Sequence, residues 1–365
     1  MPEYTPIQLA RLEERRGQFT RPGFLLLLCL LAALLAGPWL TPSFKVMDVV
    51  TKIMIFAVAV ASYDVLIGYT GIVSFAHGMF FGLGGYCLAL VIYRAGQPAW
   101  HHFFSAAGLA VLIAAVLALA IVFFTLRVRA IFFAMMTLAF AEFAYILGMQ
   151  WSSLTRGEDG VSFKLPGIFS VTWSGGTFLG TEINGRLMTY YLILGLSTLL
   201  FLLMIRFVRS PLGRVLESIR ENEQRSTALG HKTFRYQIVS AVFSSVLAAL
   251  AGMMFAMWVG YVNPSSILGT GLMLNILLMV TIGGQGTLFG AIIGSAFLNI
   301  AQTFLPDLER LVKALFPHFV LLQRSVERWL LLFGILFILV VFFFPKGILG
   351  TIRDYARRAG PSERE

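Results

Sequence analysis

Long apolar runs alternate along the chain with short polar or Gly/Pro-rich stretches. A membrane-spanning helix needs roughly 20 mostly apolar residues, and about ten runs approach or reach that length. The runs lie near 24–40, 47–67, 74–93, 104–125, 130–150, 188–208, 235–259, 271–283, 286–304 and 327–344. The pattern therefore predicts an all-α fold, a polytopic transmembrane helical bundle.

The composition agrees with this pattern, because 58% of the 365 residues are hydrophobic and only 13% are charged. It predicts one transmembrane domain over residues 23–350, surrounded by membrane lipid, between tails at 1–22 and 351–365. The net charge of +10 does not indicate nucleic-acid binding, since the basic residues form short clusters beside apolar runs. Cys29 and Cys87 both lie inside apolar runs, so we expect no disulfide framework.

The distribution of basic residues predicts the orientation of the chain. The run from Phe24 to Ala36 could be a signal peptide, but the preceding leader is long and carries acidic residues, so we expect a membrane helix. Ten spans place both termini on one side, and about two-thirds of the 28 Lys and Arg residues fall there. Both termini are therefore predicted to be cytoplasmic, with an outer loop at 151–187 and a cytoplasmic loop at 209–235.

Two other polar segments carry structural predictions. The outer loop is rich in glycine and aromatic residues, which favours turns and short strands in a folded cap or a docking loop over a disordered linker. The segment from Leu305 to Arg328 mixes prolines and charges with apolar residues, which makes an interfacial helix plausible.

Glycine positions repeat at a constant offset between two regions of the chain. The repeat is either a duplicated device for helix packing or a coincidence. A coincidence is an alternative because glycine is frequent in membrane helices. Both copies point the same way in the predicted topology, so no inverted repeat is expected. The helix-packing glycines are Gly71, Gly78 and Gly82 in the first copy and Gly283, Gly286, Gly290 and Gly294 in the second.

The cytoplasmic loop contains the most informative segment, from Ser210 to Gly230. Ser210 can cap a helix, Pro211 suits the first helical position, and Gly230 suits the left-handed residue beyond the end. We expect one continuous helix, with an apolar stripe that includes Val215 and Ile219 and a possible ion pair between residues 221 and 225. The helix docks on a partner, or it lies on the membrane or on the protein's own loops.

Ionisable residues inside spans are costly and are candidates for a transport pathway. Asp64, His77 and Glu142 qualify, either as pathway residues or as structural anchors, and Glu142 could pair with His77 or with a partner protein. Asn275 is a weaker candidate, for which a helix–helix hydrogen bond is the favoured role.

The sequence indicates no chemistry of its own. It contains no G-x-x-x-x-G-K-[ST] nucleotide-binding run, so ATP hydrolysis would require another chain. The five histidines do not form a metal-ligand pattern, and His101 and His102 occupy a short loop without nearby carboxylates. We expect no catalytic residue, no cofactor and no metal site.

Several motifs in order resemble the branched-chain amino acid permeases of ABC importers, the LivH/LivM family, and the LivM-type subunit most closely. The motifs are GYTGIVSFAHG at 68–78, TLAFAE at 137–142, the segment 210–230 followed by Phe234-Arg235-Tyr236 and the small-residue run 244–252, TIGGQGTLFG at 281–290, and FPKG at 344–347.

The resemblance implies a permease subunit of the bacterial inner membrane. It would pair with a second permease, two cytosolic ATPase subunits and a periplasmic binding protein, and would move branched-chain amino acids inward. In such importers a cytoplasmic helix fits a groove on the ATPase. Here the corresponding coupling residues are Gly213, Arg214, Val215, Glu217, Ile219, Arg220, Glu221, Asn222 and Gly230.

One departure from the family pattern leaves the substrate open. The outer loop of the family reads close to Thr-Gly-Gly-x-Asp-Gly, whereas residues 155–160 here read TRGEDG. Urea, amides or other small acids are therefore alternative substrates. Two other classes of protein are alternatives. One is a secondary transporter that relays protons or ions through the intramembrane ionisable residues, and the least favoured is a membrane-embedded enzyme, for which too few polar residues converge.

Overall fold

The structure, a computed structural model, describes residues 31–39, 43–96, 99–126, 130–170, 173–178, 181–315 and 329–351. Within these ranges nine helices are long and apolar enough to cross a membrane. The predicted all-α, polytopic helical bundle is confirmed. The first predicted span, 24–40, is described only from residue 31, where it is helical to residue 39, and its earlier part lies outside the described residues.

The first part of the chain forms five long or medium helices and one short one. They are α1 at 31–39, α2 at Phe44–Asp64, α3 at His77–Ala95, α4 at Trp100–Thr125, α5 at Ala130–Gln150 and α6 at Ser152–Thr155. A π-helix at Val65–Thr70 continues α2 without interruption.

The second part contains eight helices. They are α7 at Gly185–Arg209, α8 at Pro211–Glu221, α9 at Glu223–Ala228, α10 at Thr233–Val259, α11 at Pro264–Ile267, α12 at Thr270–Gly283, α13 at Leu288–Leu315 and α14 at Trp329–Phe343. A helical turn at 347–351 follows.

Helices α2, α3 and α10 form the centre of the bundle, and α4, α5 and α14 lie at its edge. The most apolar window of α2 is 83% buried, whereas that of α5 is 22% buried. Glycines let α3 and α10 approach closely: a Cβ on Gly84 would overlap the Ala249 carbonyl, and one on Gly252 would overlap the Phe81 carbonyl. Small residues that allow such backbone contact are typical of helix pairs in membranes.

The loop at 151–187 folds into turns and short strands, as its composition predicts. Strand β1 (Val161–Ser162) pairs antiparallel with β4 (Tyr261–Val262), and β2 (Ser174–Phe178) pairs with β3 (Thr181–Asn184). Short 3₁₀ turns at Gly157–Asp159 and Gly167–Phe169 complete the cap. The β1–β4 pair joins the loop after α5 to the loop after α10.

The segment predicted to form an interfacial helix is helical over its described part. Helix α13 continues without interruption past Pro306 to Leu315. A proline removes one backbone hydrogen bond from a helix but does not always end it. The remainder of the predicted interfacial helix, residues 316–328, lies outside the described residues, as do Cys29 and both predicted tails except residue 351.

Candidate functional site

Helices α8 and α9, together called the helix pair, occupy the predicted coupling segment. The predicted helix start is confirmed, because Ser210 Oγ accepts a hydrogen bond from Gly213 N at 3.3 Å and Pro211 opens α8. Gly230 follows the pair with φ of 90°, the left-handed conformation predicted for it. Both ends of the segment are therefore set by residues suited to helix termini.

The prediction of one continuous helix is wrong, because α8 ends at Glu221. Asn222 is extended, with φ −161° and ψ 104°, and its Oδ1 accepts a hydrogen bond from Arg225 N at 2.9 Å. Asparagine competes with the helix for backbone hydrogen bonds, and here it serves as the N-cap of α9. The expected ion pair between residues 221 and 225 would span this break. The two residues belong to different helices, so they do not have the i, i+4 geometry of a single helix.

The apolar stripe of α8 faces the chain's own bundle. Leu216 and Ile219 are 0% and 4% exposed, and a Cβ on Gly213 would overlap the Val208 carbonyl at the end of α7. Val215 and Glu217 are half-buried. The exposed surface of the helix pair is therefore mostly polar and charged. Besides Arg220, whose guanidinium is turned toward Gly68, its exposed residues are Pro211, Arg214, Glu221, Asn222, Glu223, Gln224, Arg225, Thr227 and Ala228.

Hydrogen bonds hold the two short helices together. Ser218 Oγ and Ser226 Oγ lie 2.6 Å apart, and Ser226 Oγ also donates to the Asn222 carbonyl at 3.0 Å. Gln237 Nε2 of α10 donates to Glu223 Oε1 at 3.2 Å. The helix pair is therefore a folded unit attached to the first turns of α10.

Arg220 connects the helix pair to the inside of the bundle. Its Nη1 donates to the carbonyl oxygen of Gly68, in the π-helix that continues α2. A Cβ on Gly71 would lie 3.1 Å from Arg220 Cγ, and one on Gly286 would lie 3.0 Å from Arg220 Nη1. Both glycines have positive φ, of 79° and 80°. The arginine side chain thus passes between two glycine turns, one after α2 and one between α12 and α13.

Asp64, a buried residue at the end of α2, connects α2 to the turn between α12 and α13. It is 1% exposed, and its Oδ1 accepts a hydrogen bond from Gly286 N at 2.7 Å. Its Oδ2 is buried and has no hydrogen-bond partner among the described residues. Gly68 carries no side chain because a Cβ there would overlap the Asp64 carboxylate and Gly286 N. We call Asp64, Gly68, Arg220 and Gly286 the junction.

A seam of small polar residues joins α2 to α10 beside the junction. Thr70 Oγ1 donates to the Val65 carbonyl at 3.0 Å and lies 2.6 Å from Ser240 Oγ, and Ser244 Oγ donates to the Ser62 carbonyl at 2.6 Å. These contacts are not among those predicted from the sequence. The spacing of Ser240 and Ser244, four residues apart in an apolar span, is a signal for helix–helix hydrogen bonds that could have found them.

The structure separates the intramembrane candidates from one another. His77 Nε2 lies 2.9 Å from Ser62 Oγ and 3.2 Å from the Ala59 carbonyl. Glu142 is half-buried on α5. No hydrogen bond or ion pair among the described residues joins any two of Asp64, His77 and Glu142. Asn275 Oδ1 accepts a hydrogen bond from Gln302 Nε2 at 3.4 Å, which joins α12 to α13 as its favoured role predicts.

The repeated glycines occupy two kinds of position. Gly78 and Gly82 of α3 contact Met273 and Leu268, while Gly290 and Gly294 of α13 contact the Gly283 and Met279 backbones of α12. Gly71 and Gly286 lie in turns with positive φ. The two copies thus share close packing but contact different partners.

The segment TRGEDG at 155–160 contains an arginine in a strained backbone conformation. Arg156 has φ of 61° and is the one non-glycine residue with positive φ in the described chain. Its guanidinium bonds to the Tyr93 hydroxyl and stands over the Tyr93 ring, 4.7 Å from the centroid. Glycine suits such a left-handed backbone better than any residue with a side chain does.

No group of three His, Cys, Asp or Glu side chains that could hold a metal ion occurs in the part of the chain that the structure describes. His102 Nδ1 instead accepts a hydrogen bond from Ala99 N at 3.2 Å, at the start of α4. The junction connects the helix pair to the end of α2 and to the turn between α12 and α13.

Several known proteins are similar in sequence to this chain. The family model described as "Branched-chain amino acid transport system / permease component" matches residues 46–341. The LivM permease proteins of Salmonella typhimurium and Escherichia coli K12 are each 28% identical over 343 residues, covering 90% of this chain and 75% of theirs. LivH of Salmonella typhimurium is 26% identical over 255 residues, covering 68% of this chain and 80% of its own. No solved structure is significantly similar. The chain belongs to the family of permease components of branched-chain amino acid transport systems.

Proposed function

We propose that this chain is the membrane-spanning permease subunit of an ABC importer that moves branched-chain or similar small amino acids into a bacterium. The helix pair carries the proposal, because it is a bounded, folded unit that contacts the ends of several spans. The LivM and LivH relatives are described as high-affinity branched-chain amino acid permeases, which supports the substrate class. The inner membrane is the expected location.

Energy and most recognition come from partner proteins in this proposal. The sequence has no phosphate-binding loop, so separate cytosolic ATPase subunits hydrolyse ATP. The complete importer contains two such subunits, a second permease as heterodimer partner, and a periplasmic binding protein. The chain itself is not an enzyme and supplies half of the route through the membrane.

The exposed polar face of the helix pair is the surface for the ATPase. The apolar stripe is used internally, since Leu216 and Ile219 are buried against the bundle. Contacts to the ATPase therefore come from charged side chains such as Arg214 and Arg225, which are exposed. Electrostatic pairing of this kind favours specific partner choice and fast association over large hydrophobic burial.

The junction transmits movement of the helix pair to the spans. Arg220 holds the Gly68 carbonyl at the end of α2, and Asp64 holds the Gly286 amide between α12 and α13. A displacement of α8 therefore acts on three spans at once. Bonds to a charged group contribute about 1.5–3 kcal/mol each, enough to keep the parts moving together during a transport cycle.

Two variants separate docking from transmission. In the assembled importer, Arg214→Glu should reduce the amount of ATPase that co-purifies with the permease. Arg220→Gln should retain the ATPase but lose uptake and substrate-stimulated ATP hydrolysis. Arg94→Gln is the matched control, since it removes an exposed cation at the opposite end of a span. Wild-type uptake by Arg220→Gln would contradict the transmission role.

A second experiment addresses the alternative of a self-sufficient transporter. The purified chain reconstituted alone in vesicles should show no gradient-driven uptake. Asp64 and His77 are each bonded inside the bundle to groups other than one another, which does not favour a proton relay between them. Uptake without ATP and partners would overturn the proposal. Competition by leucine, urea and amides in the complete importer would identify the substrate.

A further inference from the structure

Glu142 differs from the other two ionisable residues in the spans. Asp64 and His77 are buried and hydrogen-bonded within the bundle. Glu142 lies near the middle of the 21-residue α5, is half-buried, and makes no hydrogen bond or ion pair with any residue that the structure describes. A carboxylate at this depth must be neutralised, hydrogen-bonded or hydrated.

Helix α5 contacts the bundle through one narrow stripe. Phe133, Thr137, Ala141 and Gly148 form it: the first three are buried, Thr137 Oγ1 accepts from Phe75 N at 3.0 Å, and a Cβ on Gly148 would meet Leu268 at 3.0 Å. At 3.6 residues per turn, Glu142 lies roughly 140° around the helix from the middle of this stripe. Its side chain therefore leaves the packed side of α5.

The neighbours of Glu142 on that side are apolar and strongly exposed. Met135 is 63% exposed, Phe143 is 64% exposed and Ile146 is 54% exposed. Lipid would suit these three side chains but not the carboxylate, whereas water would suit the carboxylate but not the three apolar groups. A second protein surface that is apolar and carries one polar group suits all four.

We propose that this side of α5 is the contact surface for the second permease subunit, which supplies a hydrogen-bond donor to Glu142. The inference rests on the proposed function, which requires such a subunit, and adds where it binds. The donor is a basic, hydroxyl or amide side chain at the same depth of the membrane. Polar pairs of this type hold membrane helices together and select the correct partner.

Photo-crosslinking in the complete importer tests the surface. A photoreactive amino acid replaces Phe143, or as control Leu199, which is 54% exposed on α7 among apolar neighbours. Position 143 should give a covalent product with the second permease, and position 199 should not. A product from position 143 with lipid alone, with this chain itself or with another copy of it would overturn the proposal.

Substitution of Glu142 tests the polar contact. Glu142→Gln keeps a hydrogen-bonding group and should retain the second permease during purification, whereas Glu142→Leu should lower its recovery about tenfold, the effect of losing one bond to a buried charged group. Equal recovery in both variants would contradict the role of Glu142. If the second permease never co-purifies with the wild-type chain, the proposed function itself fails. If it co-purifies but cross-links elsewhere, only this surface is wrong.

Discussion

The crossing of α3 and α10 makes a quantitative prediction about packing. Gly252 of α10 faces the backbone of α3, and a Cβ there would overlap the Phe81 carbonyl oxygen. The neighbouring atom belongs to the backbone of a buried helix, so it cannot rotate away as a side chain could. Replacing Gly252 with alanine must therefore move the two helices apart or distort one of them.

The expected cost follows from overpacking in a dense core. An extra methylene or methyl group in a well-packed site costs typically 1–3 kcal/mol, and a rigid neighbour places Gly252→Ala near the upper end of that range, about 3 kcal/mol. Gly84→Ala meets the Ala249 carbonyl at the same crossing and should cost a similar amount. Because one separation of the helices relieves both clashes, the double variant should cost less than the sum of the two.

Thermal unfolding of the detergent-extracted importer, followed by fluorescence-detected size exclusion, measures these effects. Gly108→Ala and Gly195→Ala are matched controls, because both glycines lie in spans and a Cβ at either would meet nothing within 4 Å. The controls should leave the midpoint unchanged or raise it slightly, since alanine favours helix by up to about 1 kcal/mol. A Gly252→Ala midpoint equal to that of the controls would refute the close crossing.

Three further predictions concern the junction, the seam and the outer cap. Asp64→Asn keeps an acceptor for the Gly286 amide and should give normal amounts of folded protein, whereas Asp64→Leu should reduce them, as measured by size exclusion. Ser240→Ala removes the Thr70 contact and should lower the unfolding midpoint by the equivalent of about 1 kcal/mol, whereas an unchanged midpoint would contradict the seam. Arg156→Gly should be about 1 kcal/mol more stable than Arg156→Ala, because both lose the Tyr93 contact and only glycine relieves the left-handed strain; equal midpoints would contradict this.

The apolar runs were sufficient to predict the helical architecture. Span positions depend on a local quantity, the length of an apolar segment relative to the membrane, which a sequence displays directly. The cap of short strands and the start of α8 were also predictable, since turns and helix caps depend on residue types only a few positions apart.

The junction could not be predicted because its contacts are distant in sequence. Gly286 N and Asp64 Oδ1 belong to residues 222 positions apart, and no local pattern indicates their pairing. The family-like motif at 68–78 contains Gly68 but does not show that its carbonyl receives Arg220. Long-range contacts of this kind depend on how the spans pack.

The sequence also did not show which surface the apolar stripe of the helix pair packs against. Periodicity located the apolar stripe of α8 correctly but could not say whether it met a partner or the chain's own bundle, where Leu216 and Ile219 are in fact buried. The helix breaks at Asn222 because its side chain accepts a hydrogen bond from Arg225 N and caps the next helix. Amphipathic spacing does not show whether such a side chain caps a new helix or lies within a continuous one.

The pairing of β1 with β4 has a consequence for the order of biosynthesis. Val161 and Ser162 leave the ribosome well before Tyr261 and Val262, and α7 to α10 are made in between. Strand β1 must therefore wait, unpaired, until α10 has been inserted into the membrane. The β1–β4 pair can therefore form only after the central helix α10 has been made. A nascent chain truncated before Tyr261 would present an open strand edge to proteases.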